Sequence, residues 1–207
     1  MMIRLLAIPL AVLSFHSVIR PLSAPVRAQI LAQKYWHQGC PVPLGDLRVL
    51  TVNHWGFDGR THTGQLIVNE AVAGKLATVF RQLYELRFQI REMRLRVVYG
   101  PSSPADSSGS FDCRQAVPSP CVGGKGTGHW SMHAYGEAVD LNPVENPYVG
   151  CGMSHDQAGR KYLDRSHLRP GMVTPEVVAA FAAVGWGWGG SWSGSTKDYM
   201  HFSATGH

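Results

Sequence analysis

The sequence predicts an α+β fold: a small antiparallel sheet with flanking helices and long loops. Helical stretches are mixed with short strands that loops separate. The stretch 70–87 repeats its apolar residues at helical spacing and so predicts an amphipathic helix with one face toward the core. At 207 residues the chain is long enough for one domain with a sizeable core, and no internal repeat is visible.

The elements are expected in the following order. The stretch 29–39 indicates a short helix or an irregular arm. The expected strands are 47–53, 64–68, 95–99, 137–141 and 200–203. The helix 70–87 follows the second strand, and another helix begins after the N-cap Thr174, with Pro175 first, and ends at Gly185. Between them, 100–128 is rich in Gly, Ser and Pro and predicts a long loop.

The N-terminus has the pattern of an export signal. Arg4 precedes an apolar run over 5–15, and Ala28 ends the best cleavage site, so 1–28 is predicted to be a signal peptide and 29–207 a single domain. The run is too short for a spanning helix. An uncleaved anchor and a misplaced start codon remain alternatives. We expect a secreted or cell-envelope protein, without stable membrane insertion after cleavage.

The charge of the mature chain excludes one class of partner. Without Arg4, Arg20 and Arg27 the chain has 16 basic and 14 acidic residues. A balance this close to neutral gives no reason to expect nucleic acid binding. It is compatible with an anionic cell wall, and we expect a monomer.

Four cysteines lie beyond the leader, and none forms a C-x-x-C pair. With an export signal, an even number favours two disulfides over a thiolate metal site. At least one bridge is expected to staple the 100–128 loop, which carries Cys113 and Cys121. Four cysteines allow three pairings, and their positions alone do not choose among them.

Two short motifs supply metal-binding chemistry. His133 and Asp140 flank Gly136, which lets the backbone fold tightly, and a later D-Y-M-H-F run contributes Asp198 and His201. His133, Asp140 and His201 are enough protein ligands for a catalytic zinc with one open position. Asp198 is then free to act as a general base toward a zinc-activated water.

His129 offers an alternative zinc pair with His133, and Arg114 offers a partner for an oxyanion. His129 and His133 have the spacing of helical zinc peptidases, but that motif needs a helix and a glutamate next to the first histidine. Trp130 occupies the glutamate position, so this alternative is rejected. Arg114, beside Cys113, is the best candidate to bind a substrate carboxylate or a developing oxyanion.

The combined pattern resembles a known family. The S-x-H-x-x-G-x-A-x-D motif from Ser131 to Asp140, followed by an acid shortly before a histidine, is similar to the VanY-type zinc peptidases of bacterial cell walls and phage lysins. These are D-alanyl-D-alanine carboxypeptidases, D-Ala-D-Ala dipeptidases and L-alanyl-D-glutamate endopeptidases. Further similarity lies in 111–114, 142–148 and 185–192, so the resemblance spans about 39–202.

The resemblance implies roles for individual residues. It implies His133, Asp140 and His201 as ligands of Zn²⁺, Asp198 as catalytic base and Arg114 as the arginine that meets the substrate. It also implies that Ser131 binds the substrate. Tyr135 and Trp192 are candidates for the walls of the substrate-binding groove. Many members carry glutamate at the base position and tryptophan before the last histidine. Asp198 and Met200 depart from this, although aspartate occurs in the endopeptidase branch.

The resemblance also implies a substrate and a disulfide pairing. The expected substrate is a peptide bond of the peptidoglycan stem, cleaved as a carboxypeptidase or as an endopeptidase. The alternative is a zinc-containing wall-binding module without catalysis, which the presence of both Asp198 and Arg114 disfavours. Cys40 and Cys113 lie in family-like segments while the other two lie in apparent additions, which favours Cys40–Cys113 and Cys121–Cys151.

Overall fold

The protein is described by a computed structural model that covers residues 14–95, 106–124, 126–154 and 156–207. Within these ranges the strands form three small antiparallel sheets. The three helices described are α1 (Ala24–Ala32), α2 (Glu70–Glu85) and α3 (Pro175–Ala182). The predicted α+β class with small antiparallel sheets is confirmed.

The first sheet is built from the N-terminal third of the chain. Its strands β1 (Ser17–Pro21), β2 (Leu47–Trp55) and β3 (Thr61–Asn69) lie in chain order. The predicted strands 47–53 and 64–68 are therefore confirmed as parts of β2 and β3. In β2 the apolar residues on the inward face, such as Leu50 and Val52, are almost fully buried.

The other two sheets are smaller and carry the site. One has the order β4 (Ala138–Asp140), β9 (His201–Ser203) and β7 (Gly187–Trp188). The second has the order β6 (Met153–Ser154), β5 (Tyr148–Gly150) and β8 (Lys197–Asp198). The predicted strands 137–141 and 200–203 correspond to β4 and β9.

The core lies between α2, the first sheet and the β4–β9–β7 sheet. The stripe predicted on α2 is buried, with Leu76, Val79 and Phe80 each at most 1% exposed. Val139 of β4 and Phe202 of β9 belong to the same apolar cluster as these residues. Burial of apolar surface contributes about 25 cal/mol per Å², so this shared core holds the sheet with the site against the rest of the domain.

Helix ends follow the expected local chemistry. The Asn69 side chain accepts a hydrogen bond from the backbone of Ala71 at the start of α2, and Thr174 accepts one from Val177 at the start of α3. Pro175 is the first residue of α3, as predicted. Gly185, with φ of 85°, follows its end because a left-handed backbone is least costly for glycine.

Both predicted disulfides are present. Cys40 is bonded to Cys113 and Cys121 to Cys151, so all four cysteines are paired. The first bond joins the segment after α1 to the segment before the active site turn, and the second ties the long loop to β5. Most of the predicted strand 95–99 lies outside the described residues.

The predicted leader overlaps the described fold. Residues 17–21 form β1, whose five residues pair with β2 from Ser17↔Val52 to Pro21↔Arg48. Ala28, the predicted end of the leader, lies inside α1. Cleavage there would remove an entire strand and half of a helix, and it remains a prediction. Among the helices that the structure describes, none combines the length and apolar character needed to cross a membrane.

Candidate active site

A tight turn presents His133. The Ser131 hydroxyl accepts a hydrogen bond from the His133 backbone and starts a 3-10 turn over Met132–Tyr135. Gly136 ends the turn with φ of 68°, and a Cβ there would lie 2.7 Å from the Asn69 backbone nitrogen. Only glycine fits this approach to the start of α2. The motif S-x-H-x-x-G therefore forms one compact turn whose histidine, His133, is buried.

Strand register brings the other two predicted ligands together. Asp140 on β4 and His201 on β9 are direct partners in the antiparallel ladder. Side chains of directly opposed residues lie on the same face with Cβ atoms about 4.5–5.5 Å apart. Two residues far apart in the chain thus become neighbours through three-residue strands.

The three ligand atoms form a nearly equilateral triangle. The distances between His133 Nε2, His201 Nδ1 and Asp140 Oδ1 are all 3.2 Å. Tetrahedral ligands at about 2.0–2.1 Å from zinc lie about 3.3 Å apart. His133 Nδ1 donates to the Ser110 carbonyl oxygen at 2.5 Å, which leaves the Nε2 lone pair for a metal. The donor set and its spacing fit a divalent zinc-type ion.

The charge state of Asp140 suits a metal ligand. Burial raises the pKa of the Asp140 carboxyl, but the imidazoles of His133 and His201 outweigh burial and hold that pKa well below its usual value. The carboxylate is therefore ionised at neutral pH, and no proton must leave it before a metal binds.

Asp198 approaches the same point from another sheet. Its strand β8 pairs with β5, where Tyr148 is its direct partner. Its Oδ1 is buried and has no hydrogen-bond partner among the described residues. Burial and then the Asp140 charge raise the pKa of Asp198 to about 7, while His201 and Arg114 oppose them. Gly189 is required beside it, because a Cβ there would lie 2.5 Å from the Asp198 carbonyl oxygen.

Two cavities meet at the triangle. The larger, about 620 Å³, has apolar walls that include Val117, Trp130 and Trp192. The smaller, about 180 Å³, has polar walls that include Ser107, Ser110 and Asp112. Both are also lined by the same four residues, which are Arg114, His133, Asp140 and Met200. A peptide crossing the triangle therefore finds space on both sides of the candidate metal site.

The predicted site residues are mostly gathered in this groove. Asp198, Ser131 and Trp192 line the larger cavity together with the ligands. Tyr135 does not line either of these two cavities; its backbone oxygen instead accepts a hydrogen bond from the Asn69 side chain. His129, the rejected alternative ligand, is exposed and outside the triangle.

The comparisons with known proteins address the C-terminal part of the chain. Residues 125–204 match the family model described as D-alanyl-D-alanine carboxypeptidase. The resemblance to the VanY-type peptidases is thereby confirmed. The match supports a peptidase of the VanY type and contains the whole metal triangle and Asp198. Arg114 lies outside the matched range. No curated protein and no solved structure matches the chain.

Some residues of this candidate site were not found from the sequence. Ser110 fixes the His133 tautomer through a backbone carbonyl, for which no side-chain signal exists. Asp112 forms an ion pair with Arg114. An acidic residue two positions before the arginine is the feature of the sequence that could have indicated this pair. A second group of possible ligands, His37 with Cys40 and Cys113, has its two sulfur atoms in a disulfide and offers no thiolate.

Proposed function

We propose that this protein is an exported zinc metallopeptidase that hydrolyses a peptide bond of the peptidoglycan stem. The observation that carries the proposal is the 3.2 Å triangle of His133, His201 and Asp140 at the junction of two cavities. The VanY-type match over 125–204 supports the peptide bond as the target. The two disulfides support an oxidising, extracytoplasmic location.

The proposed cofactor is zinc. Two imidazoles and one carboxylate form a three-residue ligand set of the kind that catalytic zinc sites use, with one position left for other groups. Zinc bound there supplies a Lewis acid that activates water and polarises the scissile carbonyl. The remaining chemistry comes from the side chains around the triangle.

Asp198 is the proposed base. Its unpartnered, buried Oδ1 is able to accept a proton from the attacking water and later return it to the leaving amine. Arg114, which lines both cavities, is the proposed partner of the negative charge that develops on the carbonyl oxygen or of a substrate carboxylate. Ser131 and Trp192 line the larger cavity and are proposed to contact the substrate.

The position of the scissile bond is left to experiment. A carboxypeptidase places one residue in the small polar cavity of about 180 Å³, whereas an endopeptidase threads a longer peptide through both cavities. Asp198 in place of the more frequent glutamate occurs in the endopeptidase branch, and the description of the matched family names the carboxypeptidase activity.

Digestion of purified muropeptides tests the proposal. We expect about one zinc per chain, new peptide ends detected by mass spectrometry, and loss of cleavage after chelation with recovery on adding zinc. Release of D-alanine identifies a carboxypeptidase, and new ends between L-alanine and D-glutamate identify an endopeptidase. A folded, zinc-loaded protein that binds muropeptides and leaves them intact would instead establish a wall-binding module.

A further inference from the structure

Two contacts hold the guanidinium group of Arg114 in place. Its Nε lies 3.2 Å from Asp112 Oδ2, and its Nη1 donates to the Gln115 carbonyl oxygen at 3.2 Å. A guanidinium group has five N–H donors in a rigid plane. These contacts use Nε and Nη1, and no described residue accepts a hydrogen bond from Nη2, which is therefore available to the cavities that Arg114 lines.

Asp112 is hydrogen-bonded to His133, one of the three candidate metal ligands. Its backbone nitrogen donates to the His133 carbonyl oxygen at 3.2 Å, and its side chain lines the smaller cavity beside His133 and Asp140. Cys113, between the acid and the arginine, is fixed by its bond to Cys40 and by donating its backbone N–H to Tyr35. The carboxylate therefore has a defined position relative to the candidate ligands.

The ion pair contributes little to folding. Both side chains are 36% exposed, and exposed pairs typically contribute between 0 and about 1 kcal/mol. Its geometric effect is larger, because a long arginine side chain beside an open groove otherwise samples many rotamers. A contact at Nε removes most of that freedom before substrate arrives.

We propose that Asp112 is a positioning residue that orients Arg114 for the reaction. The inference rests on the proposed function, since it needs Arg114 to meet the reacting peptide. Asp112 acts through the arginine and not on the substrate. Its loss is expected to lower kcat/KM by about 3- to 10-fold, the factor that corresponds to ordering one flexible side chain. Where Arg114 stabilises developing charge, the loss lies mainly in kcat.

A double-mutant cycle tests this role. Asp112→Ala and Asp112→Asn are compared in the wild type and in an Arg114→Lys background, in which the Nε contact is absent. We expect Asp112→Ala to lose activity only in the wild type, and Asp112→Asn to recover part of it because its amide oxygen still accepts from Nε. The matched control is Asp164→Ala, whose contacts are local and exposed.

The cycle distinguishes a positioning role of Asp112 from direct substrate contact, from a structural role and from failure of the proposed function. An equal loss from Asp112→Ala in both backgrounds would overturn the positioning role and indicate direct contact with substrate. A fall in zinc content or melting temperature that accounts for the activity loss would overturn it in favour of a structural role. Absence of cleavage by the zinc-loaded wild type would overturn the proposed function and, with it, this inference.

Discussion

Asp198 differs from the three candidate ligands in how it reaches the site. The ligands are arranged by a turn and by the β4–β9 ladder, whereas Asp198 belongs to β8 and pairs with Tyr148. Its unpartnered Oδ1 faces an environment shared with Asp140, His201 and Arg114. This separation allows a base to be removed without removing a ligand.

Substitution of Asp198 by Asn is expected to reduce kcat by about 10²- to 10⁴-fold, the usual contribution of general acid–base catalysis. Zinc content and melting temperature are expected to stay near those of the wild type, because the amide has the same shape. Muropeptide cleavage followed by mass spectrometry, with metal analysis in parallel, measures both. Full activity in an intact, zinc-loaded Asp198→Asn protein would remove Asp198 from the mechanism.

A second cluster of buried charge lies away from the groove. Arg91 contacts Asp106 Oδ2 at 2.7 Å and Glu145 Oε1 at 2.6 Å, and Tyr162 donates to Glu145. Burial and then the hydrogen bond with Glu145 raise the pKa of Asp106 to about 7, while Arg91 opposes the shift. The single guanidinium group of Arg91 thus contacts two carboxyl groups. A proton on Asp106 removes the repulsion between Asp106 and Glu145.

The cluster predicts a dependence of stability on pH. The folded protein keeps a proton on Asp106 between about pH 4 and pH 7 that the unfolded chain releases. This contribution to stability is therefore complete below about pH 4 and lost as the pH rises through 7. Between pH 5 and pH 8 this contribution changes by about 2.7 kcal/mol, so in Asp106→Asn the melting temperature should fall less over that range than in the wild type, by roughly 5–10 °C. Identical pH profiles for the two proteins would contradict the assignment.

The sequence was sufficient to name the residues that the structure brings together in the candidate site, but it did not reveal the polar groups that support them. His133, Asp140 and His201 were found because few residue types bind metal and the spacing was recognisable. Ser110, which supports His133, was not found because it acts through its backbone. The separate cluster around Asp106 was also not found, because Asp106 meets Arg91 and Glu145 only after folding. Long-range polar contacts leave no periodic pattern in a sequence.

At the level of elements, the site depends on short strands. β4 and β9 have three residues each, and their register decides which side chains share a face. Both strands were expected from the sequence, but their pairing was not, since a three-residue pattern does not specify a partner. The helix α2 was predicted closely because a 16-residue amphipathic pattern is a strong local signal.

The two disulfides are expected to differ in their effects. Cys40–Cys113 closes a separation of 73 residues and Cys121–Cys151 one of 30 residues. Loop-closure entropy then gives about 4.4 and about 3.7 kcal/mol of stabilisation, respectively. Replacing each pair by serine should therefore lower the free energy of unfolding more for the first pair, as denaturant titration would measure.

The same two variants separate stability from activity. Cys113 is adjacent to Arg114, whereas the Cys121–Cys151 bond joins a later part of the long loop to the residue that follows β5. At a temperature where both variants are folded, we expect kcat/KM to fall in the Cys40/Cys113 variant and to change less in the Cys121/Cys151 variant. A larger loss of activity in the second variant would contradict this assignment.

At the scale of the whole molecule, the N-terminal strand and helix belong to the described domain. β1 pairs along its full length with β2, and Ile30 of α1 is fully buried in a cluster with Leu47 and Phe111. The leader pattern in the sequence overlapped this region, because an apolar run before a small-residue site looks the same whether it is removed or folded.

A chain beginning at residue 29 is therefore expected to be less stable than one beginning at residue 14. The shorter chain lacks β1 and leaves the β2 edge unpaired, which also favours association between copies. Melting temperature and size-exclusion chromatography compare the two chains. N-terminal sequencing of the exported protein identifies the natural start. Equal stability, or a natural start at residue 29, would show that β1 is dispensable.

The pairing of Asp140 with His201 also has a consequence for biosynthesis. The two residues are separated by 61 positions, and His201 lies in the last strand of the described fold. A growing polypeptide that has not yet been extended through β9 has His133 and Asp140 but no third ligand. The three candidate ligands are therefore brought together only after β9 has been synthesised and has paired with β4.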